Sequence, residues 1–149
     1  MRPKRMKKFA GFTLLELMVT LVIVSVLAAI SVPYYDSFTR KSRRTEGVNA
    51  LVQVASLQER WFTENGTYTT NLSELGLENA SSNTTENGFY QFGLVAGTLG
   101  CAIIDCFVLE ARPAPGTPHA DDNFWYRISS DGLRQTFDVD AGSWSNGWD

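Results

Sequence analysis

The sequence is poor in the side chains on which most enzymes depend. Its 149 residues include one histidine, His119, and two cysteines, Cys101 and Cys106. The histidine directly follows Pro118 in a proline-rich stretch, where we expect neither a histidine metal site nor a catalytic triad. The chain contains no phosphate loop and no Gly-x-Ser-x-Gly motif, and the acids within residues 121–140 lack the spacing of an EF-hand. We therefore predict a protein that is not an enzyme and that binds no metal ion and no cofactor.

Basic residues are scarce beyond the first third of the chain. No lysine follows Lys41, and from Glu46 onward four basic residues stand against fourteen acids. Those four are Arg60, Arg112, Arg127 and Arg134. A nucleic-acid-binding face needs clustered lysine and arginine side chains to displace counterions from the phosphates. The charge distribution therefore argues against a nucleic-acid partner.

Charge is absent altogether from residues 17–35, a run of apolar and small polar side chains. About 20 such residues in a helix, each rising ~1.5 Å, are enough to cross a bilayer. Five basic residues and no acid precede Gly11, where the apolar segment begins. One acid, Glu16, lies just inside the apolar segment, where an unpaired charge costs roughly 2.5–3.5 kcal/mol and is a functional-site hypothesis by default.

Two ordinary export signals explain only part of this pattern. A secretory signal peptide would be cleaved near Ala28-Ala29, after a short apolar core, but would not account for Glu16. A plain signal anchor would account for the basic arm through the positive-inside rule, but not for the acid.

The segment from residue 11 to residue 33, GFTLLELMVTLVIVSVLAAISVP, resembles the class III signal of type IV prepilins. In that family a membrane peptidase cleaves after the glycine, the new N-terminus is methylated, and the apolar helix is retained. The resemblance implies cleavage between Gly11 and Phe12, methylation of the Phe12 amine, and a role for Glu16 in docking subunits. Thr13 and Pro33 also stand where the family usually has threonine and proline, and we assign them to assembly.

The resemblance implies an α+β fold, the type IV pilin fold, in which a long N-terminal helix packs on a small antiparallel sheet. It divides the chain into a cleaved leader (residues 1–11), a transmembrane and assembly helix (12–35) and a globular domain (36–149). Residues 58–62, QERWF, and 65–68, NGTY, are similar to PilE-type minor pilins.

The function implied is that of a structural subunit of a type IV pilus, a minor pilin that supports assembly, twitching motility and adhesion. Its partners would be other pilin subunits through the N-terminal helix, the prepilin peptidase and methyltransferase, the inner-membrane assembly machinery, and lipid before assembly. The subunit would first be a single-pass protein of the bacterial inner membrane with a periplasmic C-terminal domain, and then part of an extracellular fibre. A DNA-uptake pilin and a type II secretion pseudopilin remain open as alternatives.

Periodicity predicts the elements of the globular domain. We expect the helix to run from Phe12 to Glu64 and to end at Asn65-Gly66. Its sheet-facing stripe is predicted to be Val48, Leu51, Val52, Ala55 and Phe62. Strands are predicted at residues 89–95, 106–112, 124–129 and 133–139, the last two forming a hairpin. No regular element is predicted for residues 141–149.

The cysteines and the chain end depart from the family pattern. Five steps along an extended strand span ~16 Å, so a Cys101–Cys106 disulfide, which we predict, needs a turn within residues 102–105. Many pilins close a C-terminal loop with a disulfide, whereas this chain has aromatic residues there, including Trp125, Trp144 and Trp148. Either aromatic packing replaces the disulfide or the tail stays loose until a neighbour covers it.

A second basic cluster, Arg40, Lys41, Arg43 and Arg44, follows the apolar run. It is either a solvated helix face or a contact with acidic groups of a neighbouring subunit or with lipid headgroups. We favour the contact with a neighbouring subunit.

Overall fold

The structure, a computed structural model, describes residues 11–77, 83–95 and 102–148, apart from the side chains of residues 32 and 33. A long helix, α1 (Leu14–Asn65), and a short 3-10 helix (Leu72–Leu75) precede five strands. The strands are β1 (Tyr90–Leu94), β2 (Val108–Pro113), β3 (Phe124–Ser129), β4 (Arg134–Asp138) and β5 (Ser143–Asn146). The described residues form two compact units that divide after Phe38, and α1 contributes to both.

Local hydrogen bonds and backbone conformation explain where α1 begins and where it ends. At the start, the Thr13 hydroxyl accepts a hydrogen bond of 3.2 Å from the backbone N–H of Glu16, as an N-cap residue does. At the end, Gly66 takes the left-handed conformation, with φ of 72°, and its N–H donates to the Phe62 carbonyl at 2.7 Å. The predicted helix is confirmed to within two residues at either end.

The buried stripe of α1 differs from the predicted one. Leu51, Val54 and Gln58 are fully or almost fully buried, at spacings of three and four residues. Val52 is 43% exposed and Phe62 is 36% exposed, so the prediction that they face the sheet is wrong. Val52 follows Leu51 by about 100° around the helix, which turns it away from the sheet. Sequence reasoning passed over Gln58 because its side chain is polar.

Gln58 joins the helix to the segment that follows it. Its side-chain amide donates to the Thr69 carbonyl at 2.7 Å and its side-chain oxygen accepts from the Thr69 N–H at 3.1 Å. Leu72 and Leu75 of the 3-10 helix are buried in the core. The amide pair satisfies a buried polar side chain completely, as burial requires.

The five strands form one antiparallel sheet in the order β1-β2-β3-β4-β5. Leu109 and Ala111 of β2 and Tyr126 and Ile128 of β3 alternate onto the core face and are buried. The four predicted strands and the α+β class are confirmed. Strand β5, in the tail for which no element was predicted, is a correction.

Candidate functional site

The N-terminal segment carries the residues that the sequence singled out for processing and assembly. Phe12 is exposed, and Glu16 lies in the first turn of α1, three residues after the Thr13 cap. A Cβ atom added to Gly11 would meet no atom within 4 Å, and the residue does not adopt a left-handed conformation. The fold of the chain therefore does not itself require glycine at position 11.

The apolar part of α1 satisfies its own polar groups. The hydroxyls of Thr20, Ser25 and Ser31 donate to backbone carbonyls three or four residues earlier, at 2.8–2.9 Å. Such bonds suit a helix in lipid, where water cannot serve as a partner. Among the described residues, α1 alone is long and apolar enough to cross a membrane by length and composition. The helix continues through the backbone of Pro33.

The cysteine segment is a turn, as its spacing required. The backbone N–H groups of Asp105 and Cys106 both donate to the Ala102 carbonyl at 3.0 Å. The predicted turn within residues 102–105 is thus confirmed. Cys101 lies outside the described residues, and the disulfide stays a prediction.

Three arginines of the second basic cluster bind the loop of residues 114–122 in the same chain. Arg40 pairs with Asp121 at 3.1 Å, and its donated hydrogen bonds hold the pKa of that exposed carboxyl below its usual range. Arg43 donates to the Pro118 carbonyl at 3.4 Å. Arg40 thus meets an acid and Arg43 a carbonyl of their own chain, and the contact of the cluster with a neighbouring subunit stays a prediction.

The third arginine, Arg44, enters a buried polar cluster. Its guanidinium makes a bidentate contact with Asp122, with N···O distances of 2.7 and 2.9 Å. The same carboxylate accepts from the Tyr90 hydroxyl at 3.0 Å and lies 2.8 Å from His119 Nε2. We call Arg44, Asp122, Tyr90 and His119 the His119 cluster. It is the main polar feature that the sequence did not reveal, since a lone histidine beside prolines gives no sign of burial.

Burial and pairing shift the ionisation of this cluster. Burial raises the pKa of Tyr90 far above its ordinary value and lowers the pKa of His119 below 6.5. The hydrogen bond to Asp122 raises the pKa of Arg44. Tyr126, buried next to the cluster, has its pKa raised to about 12 by burial. At neutral pH the two tyrosines and the histidine are therefore uncharged, and the half-buried Arg44 guanidinium is paired with the buried side chain of Asp122.

The opposite face of the sheet holds the C-terminal strand through aromatic contacts. Trp125, Phe137 and Trp144 stack across β3, β4 and β5, with ring centroids 4.9 and 5.1 Å apart. Arg127 lies 3.8 Å from the centroid of the Trp144 ring and pairs with Glu110 at 2.8 Å. Of the two outcomes that the sequence left open for the tail, the structure shows aromatic packing.

Comparisons with known protein families place these features in context. A family model described as "Type IV minor pilin ComP, DNA uptake sequence receptor" matches residues 33–123, more than half of the chain. A second model, for the prokaryotic N-terminal methylation motif, matches residues 6–32. Together the two models account for the chain from the leader to the polar loop.

Individual relatives are similar over part of their length. The type IV major pilin protein PilA of Myxococcus xanthus is 29% identical over 121 residues, which cover 80% of this chain and 52% of that protein. A fimbrial protein of Pseudomonas aeruginosa is 32% identical over 94 residues, 63% of this chain and 54% of its own. The chain thus spans about half the length of these curated relatives.

One solved structure shares the fold. The crystal structure of the non-core minor pilin PilV of Neisseria meningitidis superposes with a TM-score of 0.52 over 68% of this chain and 90% of that chain, at 21% identity. The similarity covers the arrangement of a helix followed by an antiparallel sheet.

Proposed function

Because the chain belongs to the type IV pilin family, we propose that it is a structural subunit of a type IV pilus, and specifically a minor pilin, rather than an enzyme. The observation that carries this proposal is the apolar first part of α1, in which Glu16 is the one acid before residue 36, together with the N-terminal methylation motif that matches residues 6–32. The globular domain supports it through its similarity to minor pilins.

We propose the processing and the division of the chain that follow from this role. The prepilin peptidase removes residues 1–11 by cutting between Gly11 and Phe12, and the Phe12 amine is methylated. Residues 12–35 anchor the subunit in the inner membrane, with the domain of residues 36–149 in the periplasm. The assembly machinery then transfers the subunit from lipid into the fibre, where it supports twitching motility and adhesion.

In the assembly step, Glu16 pairs with the N-terminal amine of a neighbouring subunit. The mature chain begins four residues before Glu16, so the carboxylate lies about one helical turn from its own amine. The amine keeps its positive charge after a single methylation. A pair of opposite charges gains most where water is scarce, and a carboxylate left alone in the apolar zone is costly. Docking thus satisfies two charges that the isolated subunits leave unpaired, while Thr13 caps the helix end that presents them.

The test is Glu16→Gln, which keeps the shape of the side chain and removes its charge. We expect the variant to be cleaved and stable in the membrane but absent from fibres sheared off the cell. Glu64→Gln is the matched control, because Glu64 is exposed and pairs only along the helix with Arg60 at 3.2 Å. Normal incorporation of the Glu16 variant would show that the ion pair does not recruit the subunit.

A second candidate function is DNA uptake, because the family model that matches residues 33–123 is that of a DNA uptake sequence receptor. The charge of the domain opposes it, since Arg40 and Arg44 are paired with acids of their own chain. Retention of the natively folded protein on duplex DNA, measured at rising salt, separates the two. Tight and steeply salt-dependent retention would support the DNA-uptake function. If the protein is not retained on DNA, the role as a structural subunit is the one that stands.

Deletion of the gene tests the roles in the cell. Surface pili, twitching, DNA uptake and secretion are scored side by side in the same strain. Loss of secreted enzymes with intact twitching would point to a type II secretion pseudopilin instead.

A further inference from the structure

His119 is buried completely, with none of its surface exposed, although its side chain can ionise. Its Nε2 atom lies 2.8 Å from a carboxylate oxygen of Asp122 and 3.1 Å from the Tyr90 hydroxyl oxygen. Its Nδ1 atom has no hydrogen-bond partner among the described residues. One ring nitrogen, Nε2, therefore has hydrogen-bond partners, whereas the other, Nδ1, has none among the described residues.

The position of the proton on the neutral ring follows from these contacts. The Asp122 oxygen already accepts from Arg44 and Tyr90, so it meets the ring as a hydrogen-bond acceptor. We assign the proton of the neutral ring to Nε2, which donates to this oxygen. A second proton could enter only at Nδ1, where it would be a buried donor without an acceptor and would bring a net charge into the cluster.

The charged surroundings oppose that second proton. Three arginines of α1, Arg40, Arg43 and Arg44, repel a protonated ring, and among the described residues Asp122 and the exposed Asp121 offset them. The rings of Tyr90 and Phe89, with centroids 5.1 and 6.2 Å from that of the histidine, pack against it, and Tyr126 lies beside Tyr90; none of these three side chains is charged. The attraction of Asp122 for the protonated ring is smaller than the cost of burial.

We propose that His119 is a proton-operated latch, whose protonation releases the loop of residues 114–122 from α1. The loop is held to the helix by the two aspartates and by the Pro118 carbonyl, all of which meet arginines. The aspartate in the interior, Asp122, is the one that touches the histidine. When the ring takes a second proton the cluster can no longer stay buried, and the three arginines lose their partners and face solvent.

The direction of the pH dependence follows from linkage. Burial lowers the pKa of His119 in the folded protein below its ordinary value of 6.5, so the unfolded or released loop binds the proton more tightly. The latch contributes its full stability above pH 6.5 and loses it progressively as the pH falls below that value.

The chain offers a direct measurement, because His119 is its only histidine. In full-length protein in detergent micelles, labelled with ¹³C at histidine Cε1, the ring gives one signal that needs no assignment. We expect its titration midpoint below 6.5. A midpoint at or above 6.5 would overturn the latch.

Hydrogen exchange followed by mass spectrometry tests the release itself. The N–H groups of Ala120 and Asp122 are bonded within the loop, to the carbonyls of Thr117 and His119. Between pH 7.5 and pH 5, after correction for intrinsic rates, we expect faster exchange in residues 114–122 than in the β3–β4 hairpin. Equal acceleration in the loop and the hairpin would show general unfolding and would contradict the proposal.

The matched variants are His119→Gln and Asp121→Asn. Glutamine can still donate to Asp122 but cannot take up a proton, so the loop should lose its pH dependence. Asp121→Asn removes the exposed pair and leaves the histidine, so the pH dependence should remain. An unchanged pH dependence of exchange in the glutamine variant would contradict the proposed latch. If that variant does not fold, the titration of His119 and the hydrogen exchange of the natural chain still test the proposal.

Discussion

At the scale of single residues, Gly47 shows how closely α1 approaches the sheet. A Cβ atom placed on Gly47 would lie 2.8 Å from the ring of Tyr90, whose side chain is itself fully buried. Tyr90 cannot move aside without breaking its hydrogen bond to Asp122. The glycine is thus needed for packing and not for backbone conformation, although it lies in the interior of a helix where glycine costs about 1 kcal/mol relative to alanine.

We therefore expect Gly47→Ala to destabilise the domain by about 1 kcal/mol, because overpacking costs about 1–3 kcal/mol and the gain in helix propensity offsets about 1. Gly93→Ala is the control, since a Cβ there meets nothing within 4 Å. Urea unfolding of the full-length protein in micelles measures both. A Gly47 variant about 1 kcal/mol more stable than the natural chain would show that the ring yields at no cost.

Asp121 and Asp122 are neighbours in sequence that differ in burial, so the pair shows how burial affects the contribution of an ion pair to stability. The Asp122 side chain is 1% exposed, and its partner Arg44 is 29% exposed. We expect Asp122→Asn to cost about 3 kcal/mol, at the low end of the range for breaking buried pairs because Arg44 keeps some water. Asp121→Asn should cost between 0 and about 1 kcal/mol, since that side chain is 70% exposed. Equal losses in urea unfolding would contradict this assignment.

These residues also show what the sequence could not reveal. Gly11, Phe12 and Glu16 form a local motif, and a motif can be recognised without coordinates. His119, Asp122 and Tyr90 come together only because a sheet strand, a loop and a helix meet, and their separation along the chain carries no periodic signal. Processing sites were therefore predicted by position, and the buried polar cluster was not predicted at all.

At the scale of elements, the bounds of the helix and of four strands were predicted to within two residues. In each of these elements the hydrophobic pattern is long enough to be recognised in the sequence. Strand β3 has the predicted bounds, and β1, β2 and β4 differ from theirs by one or two residues. Strand β5 was missed because its residues, SWSN, are mostly polar and only Trp144 faces other aromatic rings. Its stability comes from contacts with β4 and β3, and such contacts are tertiary.

The aromatic stack should therefore decide whether β5 stays attached. We expect Trp144→Ala to cost about 2 kcal/mol, below the ~3–5 kcal/mol of a core tryptophan because this ring is only partly buried. Amide exchange should rise first in residues 143–147. Val139→Ala, an exposed change in the same hairpin, is the control. Unchanged protection of β5 in the Trp144 variant would mean that backbone pairing alone holds the strand.

At the scale of the whole molecule, the chain joins a membrane helix to a domain that is strongly acidic. Without residues 1–11 the chain has 8 basic and 16 acidic residues, a net charge of −8. Such a surface keeps exported subunits apart in solution. In the assembly that we propose, association then depends on the apolar helix and on Glu16, the only acid among residues 11–35.

The last prediction concerns the step that makes this helix available. Gly11 has open space around it and an ordinary backbone conformation, so the fold of the chain gives no reason for its identity. In the cleavage that we propose, the requirement for glycine comes from the peptidase, whose site must admit a residue without a Cβ next to the scissile bond. We expect Gly11→Leu to leave an uncleaved precursor in the membrane with unchanged folding of the domain. Met6→Leu, which places the same side chain in the leader away from the cut, should be processed normally. Intact-mass measurement distinguishes them: a mature chain that begins at any residue other than Phe12, or normal processing of the Gly11 variant, would overturn the assignment of the cleavage site.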